Sequence, residues 1–166
     1  MRRSVTEAIV QGLKETGIDF VAYLPESWMH DVYDTILEDP HFEVVLGTNE
    51  GECVGIVSGA WLGGRKPVAI FENSGLRVAA ETIARLGMGH GIPSFMIMPY
   101  RGDFGDKDWW AIASGDTLMP VLNALQVHHK LVEREEDIIP TIKGAWEVLH
   151  VSKRPVAVII GGRLCQ

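Results

Sequence analysis

Six short, continuous apolar runs, each followed or preceded by a stretch of helical spacing, constrain this chain more than any other feature of its sequence. The runs lie at residues 19–24, 42–46, 67–71, 93–98, 127–132 and 156–160. Between them the apolar positions recur every three or four residues, which predicts helices. Val5, Ala8, Ile9, Gly12 and Leu13 mark the first, with Ser4 or Thr6 as candidate caps and Gly17 as its stop. Further helices are predicted over 28–37, 50–62, 76–86, 117–125 and 136–149, the third ended by Gly63-Gly64. Strands that read as unbroken apolar runs are buried on both faces, as in a parallel sheet covered by helices. The expected fold class is therefore α/β: three layers, a six-stranded parallel sheet with helices on both faces, in one domain spanning residues 1–166.

Composition narrows the function classes. The 166 residues are 46% hydrophobic and 22% charged, values of an ordinary globular protein rather than a disordered one. The net charge is -7 and no basic stripe stands out, so nucleic acid is not an expected partner. The longest apolar runs are too short for a membrane span, and Met1-Arg-Arg leads into Ser-Val-Thr-Glu rather than a leader's apolar core. Cys53 and Cys165 form neither a metal-spacing pattern nor a disulfide framework, and the six histidines are scattered. These features suit a reduced, cytoplasmic protein that holds no metal of its own.

Ligands of open parallel sheets collect at the carboxyl ends of the strands. The segments to weigh there are Pro25-Glu-Ser27, Gly47-Thr-Asn-Glu50, Glu72-Asn-Ser-Gly75 and Met98 to Asp103. Glu50 opens a helix, where an acid also simply complements the helix dipole. The helix it opens is rich in small residues, Gly51, Gly55, Ser58, Gly59 and Ala60. An interior glycine costs about 1 kcal/mol against alanine, so several together point to a close approach, by the sheet beneath or by a partner above. Asn73 or Ser74 can cap the next helix, and the turn's N–H groups could face a ligand. The turn is neither a dinucleotide fingerprint nor a phosphate loop, and no nucleophile elbow surrounds Ser58 or Ser74. Arg101, in the charged and aromatic stretch from Tyr100 to Trp110, is the best-placed cation for an acidic substrate. The Arg-Gly-Asp order beginning at Arg101 carries no adhesion reading in an intracellular α/β domain.

Taken together these segments resemble the pyrimidine-binding domain of thiamine-diphosphate enzymes. That domain carries a glutamate at the start of a helix of small residues, with a Gly-aromatic pair nine positions on; here Glu50 precedes Gly59 and Ala60-Trp61. Within that group the pattern is most similar to the sulfopyruvate and phosphonopyruvate decarboxylases. Gly17-Ile-Asp-Phe-Val21, Lys66-Pro67, Asn73-Ser-Gly-Leu76, Gly91-Ile-Pro93, Arg101-Gly102 and Met119-Pro-Val-Leu-Asn-Ala-Leu125 carry the resemblance over nearly the whole chain.

The resemblance implies an alpha subunit of a two-subunit decarboxylase that converts a 2-oxo acid to an aldehyde and carbon dioxide. It implies thiamine diphosphate with Glu50 as the catalytic carboxylate on the aminopyrimidine. Pro25, Asn73, Ser74 and Gly75 would bind the cofactor beside Glu50; Glu26, Ser27, Asn73 and Arg101 would bind the substrate. No Gly-Asp-Gly occurs in this sequence. The Mg²⁺ and the diphosphate would therefore be held by a beta subunit carrying that motif, in a hetero-oligomer. Two departures stand out: Gly51 interrupts the acids usual at the glutamate motif, and Arg77-Val78 replaces the usual Gly-Asn. They leave open a carboligase of the same cofactor class, or a degenerate, non-catalytic binding domain.

Overall fold

The computed structural model describes residues 1–166 and contains one six-stranded sheet in which every neighbouring pair is parallel. In chain order the strands are β1 (Phe20–Tyr23), β2 (Glu43–Leu46), β3 (Pro67–Ile70), β4 (Phe95–Pro99), β5 (His128–Val132) and β6 (Val156–Ile160). The helices are α1 (Arg3–Thr16), α2 (His30–Glu38), α3 (Glu50–Leu62), α4 (Leu76–Thr82), α5 (Ile112–Ala124), α6 (Ile138–Ser152) and a last turn α7 (Gly162–Cys165). Across the sheet the order is β2-β1-β3-β4-β6-β5. The three-layer α/β expectation is met. No helix is long and apolar enough to cross a membrane.

Alternation along the strands builds two cores. Val21, Val68, Ile70, Phe95, Ile97, Val158 and Ile160 face one way, against α1, α2 and α6. Ala22, Ala69, Met96, Met98, Ala157 and Ile159 face the other, against α3, α4 and α5. The alanines at matching depth in β1, β3 and β6 keep that second face low, so three helices sit close on it. Burying each large apolar side chain is worth about 1.5–3 kcal/mol, and both faces of the central strands contribute.

The two edge strands depart from expectation. β2 and β5 are not buried runs; β5 is His-His-Lys-Leu-Val and is largely exposed up to Val132. Each has a strand on one side only, so its outer row faces water. The predicted helix over 76–86 continues to residue 89, with its second half (Ile83–Gly89) wound as a π-helix. The helix expected from 117 starts earlier, at Ile112 after a 3₁₀ turn at Trp109–Ala111. Pro120 lies within it and, having no N–H, leaves out one bond of the helix, to the carbonyl of Asp116.

The chain leaves β1 toward β2 on one side and returns to β3 on the other. The loops after β1 and β3 therefore diverge and leave a crevice at the carboxyl edge. The fully buried positions of the two cores are the part most sensitive to truncation. Leu13 of α1 has no exposed surface, and Val151 of α6 is 83% exposed. Leu13→Ala is expected to lower the unfolding free energy by about 2–5 kcal/mol. Val151→Ala should stay within about 0.5 kcal/mol of the parent. Urea titration of both variants, at unchanged slope, checks the pair.

Candidate functional site

Two glutamates open α3, and they do different work. Asn49 caps the helix: its side-chain oxygen accepts from the Glu52 N–H at 3.0 Å. The Glu52 carboxylate reaches back to the Thr48 N–H at 2.5 Å and the Thr48 hydroxyl at 2.6 Å. Those bonds, the hydroxyl's first, hold the Glu52 carboxyl below the usual carboxylate range. Asn49 satisfies one N–H of the first turn and Glu52 braces the residue before the cap, so neither task falls to the Glu50 side chain. Glu50 points instead toward the turn after β3. A Cβ at Gly75 would fall 2.1 Å from its Cγ, 2.2 Å from its Cδ and 2.3 Å from Oε1. Only a residue without a side chain admits the carboxylate there, which makes Gly75 the floor of a cradle. Gly51, the departure noted in the sequence, is buried, and an added Cβ would lie 3.2 Å from Thr82 Oγ1. An acid at that position would meet the neighbouring helix.

The other residues named from sequence divide into surface and interior. Pro25 and Ser27 are exposed after β1 and line, with Glu26, Tyr23, His30 and Tyr33, a cavity of about 480 Å³. The Glu26 carboxylate accepts from the Trp28 N–H at 2.7 Å and from the Met29 N–H, and so holds the turn into α2. Burial pushes its pKa up against those two bonds, so it takes a proton more readily than an exposed glutamate. Ser74 is half-buried beside the cradle. Asn73, in contrast, is 1% exposed. Its amide donates to the Arg101 carbonyl at 2.9 Å and accepts from the Arg101 N–H at 3.2 Å. The side chain expected to meet cofactor and substrate is instead a brace between the loops after β3 and β4.

Arg101 requires the larger correction. Its side chain is 3% exposed, not open to a substrate anion. Nε donates to Asp106 at 2.9 Å and Nη2 to Asp108 at 2.5 Å, with Glu72 at 3.8 Å from Nη1. Its Cζ stands 4.3 Å from the centroid of the Trp28 ring. Burial raises the Asp106 carboxyl, but bonds from Arg101, Gly102 N–H and Asp108 N–H outweigh it, and the net pKa falls below the ordinary value. One guanidinium thus pins three loops, those after β1, β3 and β4. The signal available in the sequence was the alternating Asp106-Lys-Asp108 a few residues after Arg101. Trp28 gave no signal, since it is far from Arg101 in sequence.

Arg77 does not enter the Glu50 cradle. Its guanidinium lies along α5, donating to Thr117 Oγ1 at 2.8 Å and to Ser114 Oγ at 3.3 Å. No group of three or more His, Cys, Asp or Glu side chains is gathered at metal-binding range. On the outer side of α3, Gly55 and Gly59 face open space, with nothing within 4 Å of an added Cβ. Their small size does not serve packing on the sheet.

No family profile matches the chain. A structure of 2-oxoglutarate:ferredoxin oxidoreductase from Magnetococcus marinus superposes with a TM-score of 0.68 at 22% identity, covering 97% of this chain and 29% of that one. Phosphonopyruvate decarboxylase of Streptomyces viridochromogenes is 35% identical over 60% of this chain, though only 25% of its own length is matched. The alpha subunit of sulfopyruvate decarboxylase from Methanocaldococcus jannaschii is 28% identical over 92% of this chain and 90% of its own. The chain is thus similar, from end to end, to sulfopyruvate decarboxylase alpha subunits, that of Methanococcus maripaludis being 27% identical over 95% of this chain and 94% of its own.

Proposed function

We propose that residues 1–166 form the pyrimidine-binding alpha subunit of a two-subunit, thiamine-diphosphate-dependent decarboxylase of the sulfopyruvate and phosphonopyruvate type. The observation that carries this reading is the freed Glu50: its helix is capped by Asn49, Glu52 braces the residue before the cap, and the Glu50 carboxylate is set against Gly75 at the carboxyl edge. A carboxylate relieved of structural work, in a space shaped by a missing side chain, is what proton transfer to a ring nitrogen requires. The similarity to decarboxylase alpha subunits along the chain supports it independently.

In this reading the aminopyrimidine of thiamine diphosphate lies over the crevice between Pro25 and the Asn73-Ser-Gly75 turn. When bound, the cofactor supplies the electron sink for loss of carbon dioxide from a 2-oxo acid, leaving an aldehyde. The chain's part is to hold one proton between Glu50 and the ring nitrogen, and to exclude water on the Pro25 and Ser74 sides. Glu26 and Ser27 face the substrate end of the same crevice. Mg²⁺ and the diphosphate fall to the partner. The open strip of α3 at Gly55 and Gly59, flanked by exposed Leu62 and Val78, is where a second chain's backbone can come close.

Three outcomes test this. Glu50→Gln, in the complex with the partner subunit and cofactor, should cut turnover by at least about a hundredfold, the scale of lost acid–base catalysis. Its circular dichroism and complex size should match the parent; near-parental turnover would sink the assignment. Gly75→Ala forces Glu50 out of its cradle, and cofactor-dependent turnover should fall as far while the melting temperature of the isolated chain moves by only a few degrees. Arg101→Ala breaks a buried ion pair, which costs about 3–5 kcal/mol of stability. Because Arg101 pins loops rather than meeting substrate, kcat/KM should fall by a similar factor for a 2-oxo acid with an anionic tail and for pyruvate. A loss confined to the anionic tail would restore Arg101 as a substrate ligand.

A further inference from the structure

The stretch between β4 and α5 combines a fixed base with an exposed apolar tip. Phe104 is 99% exposed, Trp109 81% and Trp110 58%, the two indoles meeting edge to face at 6.0 Å between centroids. A contiguous exposed apolar patch on a folded protein marks an interaction site. The base of this one is tied down. Arg101 holds Asp106 and Asp108, and the Gly102 N–H donates to Asp106 at 2.9 Å. Gly102 itself has φ of 81°, and a Cβ on it would lie 2.0 Å from the Ala111 carbonyl oxygen. The two ends of the spur are therefore in backbone contact, and its base is held by groups of this chain alone.

Beside the tip, between it and α5, is a cleft of about 410 Å³. Tyr100, Phe104, Ile112 and Met119 give it apolar walls, and Asp103 and Asp116 give it two carboxylates. Burial raises the Tyr100 phenol, and the charges of Asp103 and then Asp116 raise it further, so both acids act on the same space. Arg101 and Lys107 against Asp103, Asp106, Asp108 and Asp116 leave residues 101–116 at 2 − 4 = −2. Arg101 is consumed by Asp106 and Asp108, so the charge facing the cleft is the uncompensated pair. A long aliphatic stem ending in a cation fits such a space: the stem lies on the apolar walls and the head meets two carboxylates.

We infer that residues 103–112 are a preformed docking spur for the diphosphate-binding subunit, which presents an apolar pocket to Phe104, Trp109 and Trp110 and an arginine or lysine to the Asp103–Asp116 cleft. The inference rests on the two-subunit reading above. The spur stands at the carboxyl edge, joined to the Glu50 cradle through the Asn73–Arg101 bonds, so a chain that completes the crevice meets it. Tryptophan is enriched among the side chains that dominate interface energetics, and a rigid presentation spares the ordering cost of binding.

The experiment is titration calorimetry and sedimentation of the full chain with the co-produced subunit that carries the Gly-Asp-Gly motif, at low and high salt. The Trp109→Ala, Trp110→Ala double variant should weaken Kd by about thirtyfold or more, the loss of one strong interface anchor. Asp103→Asn, Asp116→Asn should weaken it at low salt and flatten its salt dependence. Val151→Ala, an exposed apolar change on the opposite side of the molecule, should leave Kd as it was. Parental Kd in both spur variants overturns the inference while leaving the two-subunit reading intact. Parental Kd with a fall in kcat makes the spur a cover for the substrate and also overturns it. Loss only of self-association in the chain alone assigns the surface to a second copy, with the same consequence. If the parent chain itself forms no complex, the two-subunit reading fails and this inference falls with it.

Discussion

The Asn73 amide and the Arg101 backbone are bonded to each other in both directions inside the molecule, and the carboxyl edge takes its shape from that exchange. A parallel sheet leaves the loops beyond its strands unpaired, and each must find partners for its polar groups or remain in water. Here one buried side chain satisfies the N–H and the carbonyl of Arg101, the second residue after β4. Leaving either group unpaired would cost about 1–3 kcal/mol, so the loops after β3 and β4 cannot separate cheaply. Gly75 sits two residues from Asn73, and the spur begins two residues after Arg101. The cradle for Glu50 and the exposed aromatic tip are thus two ends of one assembly.

The division between Glu50 and Glu52 gives that assembly its chemical sense. Helix starts welcome acids, and a single glutamate there would say little. With two, the structure can be asked which one the helix needs. Glu52 takes both the Thr48 N–H and hydroxyl, and Asn49 takes the Glu52 N–H. Glu50 is left in a space that only a glycine at 75 could open. The same logic separates Arg77 from Arg101. The exposed arginine leans on neutral hydroxyls of α5, and the interior one is matched by carboxylates on three sides.

Much of this was legible in the sequence, and the gaps have physical causes. β6 and α3 coincide with the predicted spans because each is bounded by glycine, proline or a capping residue, and β6 is in addition apolar throughout. Glu50 was singled out correctly as a helix opener, since position within a helix is a local property. The edge strand β5 reads as a buried run because Val127 before it and Leu131 and Val132 at its end are apolar, while its first three residues are His-His-Lys. The early start of α5 was hidden by Trp109-Trp-Ala, whose 3₁₀ turn lacks a recognisable cap. Arg101 and Asn73 were read as ligands because their residue types suit ligands. Their burial depends on Trp28, Glu72 and Asp108, which come from different loops, and no single segment announces such a meeting.

The two bare margins of the sheet have a consequence for how this chain can associate. An open edge is a template for another strand, and unprotected edges invite runaway growth of the sheet. β2 carries Glu43 on its exposed margin, held by Arg65 at 2.7 Å, and β5 presents His128 and Lys130. Charges on the outer rows make lateral strand addition costly at both ends. Any assembly of this chain must therefore be built by apposing its helices and loops, which fixes the number of copies that can meet, rather than by extending its sheet, which would not.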